Sequence, residues 1–187
     1  MTHAFETNQW VPHPVELVFA FFANPANLPH LMPPWQRTRI ESSRIQAPPA
    51  RPMAADPELR FQSIAAGMGS EMTISFRPII AVPLRQRWLA RITEFVWFDH
   101  FEDVQVRGPF AHWRHRHATK RETRNGQLGT LVMDEVEYEL PLGIWGEVAH
   151  RAIVRGQMLE TFAYRQRRLI EILPTVERQA IRKHRKE

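Results

Sequence analysis

His115 and His117 are one residue apart, so a strand through them sends both imidazoles to one face. Two imidazoles meeting a carboxylate can form a structural ion pair, act as an acid–base couple, or bind a metal. Which carboxylate they meet follows from the next turn. Arg124-Asn125-Gly126-Gln127 contains Asn-Gly, which supplies the two positive φ angles of a type I′ hairpin turn. Pairing Arg124 with Gln127 sets His117 opposite Asp134, His115 opposite Val136, Trp113 opposite Tyr138 and Thr119 opposite Val132. The other face then sets Arg116 against Glu135, Arg114 against Glu137 and His112 against Glu139, a charge ladder that a one-residue slip would destroy. If the turn at Gly108-Pro109-Phe110 has three residues, Asp103 falls opposite His115 and Phe101 opposite His117, whereas a four-residue loop would flip that register.

One face therefore displays Trp88, Phe101, Asp103, Trp113, His115, His117, Asp134 and Tyr138. Polar groups among aromatics describe a ligand cavity, because an unpaired buried polar group costs about 1–3 kcal/mol. A sealed core in which His and Asp satisfy each other is the alternative, and both stay open. His117 oriented by Asp134 is a general-base arrangement, with Tyr138 as hydrogen-bond donor to a developing oxyanion. His115, His117 and Asp134 also have the outline of a three-ligand zinc site, but a pair of histidines is a short signature, so no metal or cofactor is expected. No nucleophile elbow, phosphate loop or Gly-x-Gly-x-x-Gly stretch is present.

The elements that hold this face can be read along the chain. Residues 3–11 suit a strand. Pro14 opens a helix carrying Val15, Val18, Phe19 and Phe22, and Asn24-Pro25 ends it; a second short helix at 25–31 stops at Pro33-Pro34. Strands are expected at 35–43 and 69–76, joined by a long Pro-rich loop over 44–68. Alternation continues from Gly69 to Leu140 as an antiparallel meander. From Ile144 to Leu173 the period becomes helical, with a stripe through Trp145, Val148, Ala152, Gly156, Leu159, Phe162, Leu169 and Leu173. Gly156 and Leu159 on that stripe are expected to face the sheet or a bound molecule. Residues 1–173 read as one domain, followed by a basic extension over 174–187.

Composition limits the function classes. The 187 residues include no cysteine, which removes disulfides, thiolate nucleophiles and sulfur-ligated metals. The net charge of +5 is local: residues 1–150 hold 15 Lys+Arg and 16 Asp+Glu, whereas residues 151–187 hold 10 and 4. The body has no polyanion-binding charge, so nucleic acid is not expected as a partner, and a basic tail against an acidic partner is the remaining interaction reading. No run approaches the roughly 20 apolar residues of a membrane span, and a cytoplasmic protein is expected. A homodimer stays open.

Four phrases resemble the SRPBCC superfamily, in particular its small bacterial members. They are Pro14 to Phe22 with Asn24-Pro25-x-Asn27-Leu28; Trp88-x-Ala90-x-Ile92; Phe101-x-Asp103-x-Gln105-x-x-Gly108-Pro109-Phe110-x-x-Trp113-x-His115-x-His117; and Gly129-Thr130-x-x-x-Asp134-x-Val136-x-Tyr138-x-x-Pro141. Phe162-x-Tyr164-Arg165 follows in the helix. The resemblance implies an α+β helix-grip fold: about seven antiparallel strands curved around a long C-terminal helix, with two short helices after the first strand. START-like lipid-transfer domains, pollen-allergen-type proteins and polyketide cyclase/dehydrases share it. It implies binding of a hydrophobic or amphipathic small molecule, such as a lipid, quinone or polyketide, between sheet and helix, or cyclase/dehydrase-type chemistry in the same cavity. This chain departs from the pattern in the 44–68 loop, in Ala118 where a bulky aromatic usually follows the second histidine, and in the basic tail.

Overall fold

The computed structural model describes residues 1–52, 64–78, 84–141 and 143–184. Seven strands form one antiparallel sheet: β1 (Thr2–Val11), β2 (Arg39–Arg44), β3 (Glu71–Phe76), β4 (Gln86–Val96), β5 (His100–Arg107), β6 (His112–Arg124) and β7 (Gln127–Glu139). Their order in the sheet is β1-β7-β6-β5-β4-β3-β2, so only the first strand leaves the meander to pair with the last. Helices α1 (Val15–Ala23) and α2 (Leu28–Leu31) follow β1, and α3 (Ile144–Ala149), a π-helical turn (His150–Val154) and α4 (Arg155–His184) end the chain. This is the helix-grip α+β architecture.

Both hairpin registers agree with the sequence reading. Asn125 and Gly126 adopt φ of 51° and 76°, and β6 meets β7 with His117 opposite Asp134 and Trp113 opposite Tyr138. Likewise β5 meets β6 with Asp103 opposite His115 and Phe101 opposite His117. The outward charges pair less simply than the ladder implied. Arg114 reaches Glu137 at 3.5 Å, but Arg116 turns to Glu94 on β4 rather than to Glu135, at 3.1 Å.

Other boundaries move for local reasons. Strand β2 starts at Arg39 rather than 35, because Pro34–Gln36 closes a 3₁₀ turn and Arg37 takes a positive φ of 47°. The long loop between β2 and β3 lies partly outside the described residues. Helix α4 continues past the expected end at 173 with Pro174 inside it. Leu173 is fully buried and Ile172 and Val176 pack on the same cluster, so burial on both sides of Pro174 offsets the hydrogen bond it cannot donate.

Three apolar clusters tie the layers together. Leu17, Val18 and Phe21 of α1 join Val132, Leu169 and Leu173. Phe19 joins Ile92, Phe95 and Phe101, while Met158 and Phe162 of α4 cover Trp113, Val136 and Tyr138. Between the last two the layers do not meet, and that gap is the cavity described below.

The β5–β6 turn is braced by one side chain. Gln105 donates from Nε2 to the Phe110 carbonyl at 2.7 Å and accepts from the Phe110 N–H at 3.2 Å. Gly108 lies under this clamp, since a Cβ there would sit 2.2 Å from Gln105 Oε1. Gln105→Ala is expected to cost about 1–2 kcal/mol. Urea unfolding measures this, and an unchanged midpoint would show that the turn holds without the clamp.

Candidate functional site

The register brings four ionisable groups into one line across β5, β6 and β7. Asp103 Oδ2 lies 3.7 Å from Nδ1 of His115, whose Nε2 donates to Asp134 Oδ1 at 2.9 Å. The same Asp134 oxygen is 2.7 Å from Nδ1 of His117, outside hydrogen-bond alignment, and 3.9 Å from Nη2 of Arg165 on α4. The two imidazole centroids are 3.8 Å apart. Phe101 lies against His117 at 4.7 Å, and Phe162 against His115 at 5.7 Å.

His115, His117 and Asp134 are buried and Asp103 is partly so, and this burial sets their protonation. Desolvation, reinforced by the neighbouring His117, pushes His115 down to about 4 against the pull of Asp134. Desolvation also lowers His117, opposed by Asp134. Burial alone would raise Asp134, but His117, His115 and Arg165 outweigh it and hold this carboxyl well below the usual range. Asp103 is raised by burial despite His115, Arg165 and the Trp113 indole. Burial thus pushes both imidazoles toward their neutral forms, while the groups around Asp134 favour its ionised form.

The line borders a cavity of about 300 Å³ between the sheet and α4, at the lower end of the range for small-molecule sites. Trp88, Phe101, Asp103, Trp113, His115 and His117 all line it, as expected. Trp88 meets Trp113 edge-on at 4.7 Å and forms the aromatic wall. Asp134 is not on the wall but behind the two imidazoles. Tyr138 is also displaced from its expected place: only 2% exposed, it packs with Phe110, Trp113 and His3 at the strand end and does not line the cavity.

Gly156 and Leu159 are corrections. Gly156 is exposed, with no atom within 4 Å of where a Cβ would stand, and Leu159 is 49% exposed. The face of α4 that looks inward carries Gln157, Met158, Thr161, Phe162 and Arg165. Three of these are polar, so a stripe drawn through apolar residue types is rotated toward solvent. Before it, Trp145 of α3 is 76% exposed, beyond the π turn that interrupts the helix.

Arg165, Thr161 and Gln36 are site residues that sequence reasoning missed. Arg165 was detectable, because it sits three residues after Phe162 and four before Leu169, both buried. Gln36 had no such signal: it comes from the 3₁₀ turn before β2 and donates to Thr161 Oγ1 at 2.9 Å across the cavity. Among the described residues, buried side-chain atoms without a hydrogen-bond partner include Gln36 Oε1, Thr38 Oγ1, Trp88 Nε1 and His117 Nδ1, all on residues that line the cavity.

Comparison with known proteins accords with this geometry. Residues 11–167 match the model of the family described as polyketide cyclase / dehydrase and lipid transport. The chain belongs to that family. Among curated proteins no significant match exists. Similar solved structures include TTHA0849 from Thermus thermophilus (17% identity, 92% of this chain and 98% of that one, TM-score 0.56). Ginseng major latex-like protein 151 from Panax ginseng is similar at 11% identity, over 91% and 96%, with TM-score 0.58. Norcoclaurine synthase from Thalictrum flavum, in complex with dopamine and hydroxybenzaldehyde, is similar at 12% identity, over 91% and 88%, with TM-score 0.55. These likenesses concern the fold. Among the described residues no helix is long and apolar enough to cross a membrane.

The depressed His115 makes a prediction about acid stability. Above its ordinary pKa of 6.5 His115 is neutral both folded and unfolded. As pH falls below 6.5 the unfolded chain takes up the proton first, so stability is lost from there down to about 4, by up to about 1.4 kcal/mol per pH unit. Urea unfolding at pH 7 and pH 5 is expected to show this loss, and His115→Gln is expected to reduce it. An equal acid loss in the variant would assign the effect to other groups.

Proposed function

We propose that this protein binds a compact amphipathic small molecule, lipid-, quinone- or polyketide-like, in the cavity between sheet and α4. The observation that carries this reading is the mixture on the cavity wall. Trp88, Phe101 and Trp113 offer apolar surface, and Asp103, His115, His117, Thr161 and Arg165 stand on the same wall. A wall of aromatic rings with polar side chains among them favours a ligand with both characters. Arg165 and the two imidazoles give its polar end a place to sit. The family includes lipid carriers, and the norcoclaurine synthase structure holds two small aromatic molecules in a similar fold.

A cyclase/dehydrase-type reaction is the second reading, favoured by the 2.7 Å contact between His117 and Asp134. His117 would take the proton and Asp134 would orient it. Because Tyr138 is packed away from the cavity, Arg165 replaces it as the group facing developing negative charge. His117→Ala and Asp134→Asn separate the readings: they abolish turnover in an enzyme but only weaken retention in a carrier.

Native mass spectrometry of the protein from its own host, set against its denatured mass and an organic extract, tests the binding reading. One molecule per chain is expected, released on denaturation. Ala90→Phe, which fills the cavity from the middle of β4, is expected to lose it while circular dichroism is unchanged. A bare mass for the natural chain would count against a resident ligand.

A further inference from the structure

We propose that Asp103, His115 and His117 form a site for one divalent first-row transition metal, of the zinc or ferrous class, held from behind by Asp134. Ligand-capable atoms of the three residues lie within 4.8 Å of one another. The choice of ligand differs from the sequence outline, which expected no metal and put Asp134 in the third position. Asp134 is committed elsewhere. Its Oδ1 accepts from Nε2 of His115 and lies 2.7 Å from Nδ1 of His117.

That commitment decides which nitrogens can ligate. With Nε2 turned to Asp134, the ligating nitrogen of His115 is Nδ1, and Nδ1 is the atom that faces Asp103 at 3.7 Å. With Nδ1 turned to Asp134, His117 has Nε2 left to offer. A metal-bound histidine almost always gives its second nitrogen to a carboxylate or carbonyl, which fixes its tautomer and orientation. Here one carboxylate oxygen lies 2.9 Å from a nitrogen of His115, hydrogen-bonded to it, and 2.7 Å from a nitrogen of His117, close but not aligned.

The donor set names the class of metal. Two imidazoles and one carboxylate suit zinc or non-haem iron rather than calcium or magnesium, which take oxygen donors. Bonds of about 2.0–2.2 Å need donors roughly 3.3 Å apart, so binding would draw His115 Nδ1 and Asp103 Oδ2 in from their present 3.7 Å. His115, His117 and Asp103 all line the cavity, and open coordination positions would face a cavity molecule. This proposal shares the cavity with the binding function but does not rest on it.

The test is a cobalt(II) titration of the full chain, stripped with a chelator and extracted free of organic molecules, read by visible absorption and by elemental analysis after desalting. One equivalent with the bands of four- or five-coordinate cobalt is expected. Asp103→Asn and His117→Gln should each abolish the bands, whereas Asp134→Asn should weaken binding about 10- to 100-fold with the bands retained. Less than about one-tenth equivalent in the natural chain overturns the site, as do bands that persist in Asp103→Asn. Asp103→Asn is near-isosteric and decides the matter if His117→Gln does not fold. Because no organic ligand enters the titration, its outcome is independent of whether the cavity binds one.

Discussion

Asp134 is a buried carboxylate, and burying an ionised carboxylate without partners is among the most expensive arrangements a fold can contain. Its partners come from β6 and α4, and they reach it only in one strand register. A shift of one residue would turn His115 and His117 to solvent and bring Arg114 and Arg116 inward. Two turns prevent that shift: Asn125-Gly126, with its left-handed backbone, and the Gly108–Phe110 turn clamped by Gln105. The position of Asp103, the protonation of the imidazoles and the polar side of the cavity all depend on these two local structures.

The cavity arises from a different constraint, which is the limited supply of apolar side chains on α4. Met158 and Phe162 close one end over Trp113, and Leu169 and Leu173 close the other against α1. The inward positions of the cavity wall also hold Gln157, Thr161 and Arg165, which do not seal against the aromatic sheet. Gln36 bridges to Thr161 from the opposite side without filling the space. A sheet and a helix that pack at both ends but not in the middle leave a chamber with apolar walls and a few polar atoms aimed inward.

The parts of this site legible from sequence are those decided by near neighbours. The pairing of His117 with Asp134 and of His115 with Asp103 followed from turn chemistry a few residues away. Errors came where a residue's neighbours are distant in the chain. Tyr138 has the alternation of an inward residue, yet Phe110, Trp113 and His3 enclose it at the strand end. Gly156 and Leu159 looked inward because they lie on an apolar stripe, whereas the sheet opposite α4 tolerates a polar helix face. Arg165 is not on the apolar stripe, although its spacing from the buried Phe162 and Leu169 puts it on their side of α4.

Sequence alone determined the antiparallel meander, the two short helices, the long C-terminal helix and the β6–β7 register, because period-2 alternation, helical spacing and Asn-Gly act over a few residues, while the helix-grip class and the family followed from the resemblance of four phrases. Tertiary structure alone decided that Asp134 stands behind the histidines rather than beside a ligand, that Asp103 is the carboxylate facing the cavity, and that Gln157, Thr161 and Arg165 of α4 share its inward face with Met158 and Phe162. Those outcomes depend on how far a sheet and a helix approach each other. Packing across the whole domain sets that distance, and no local spacing encodes it.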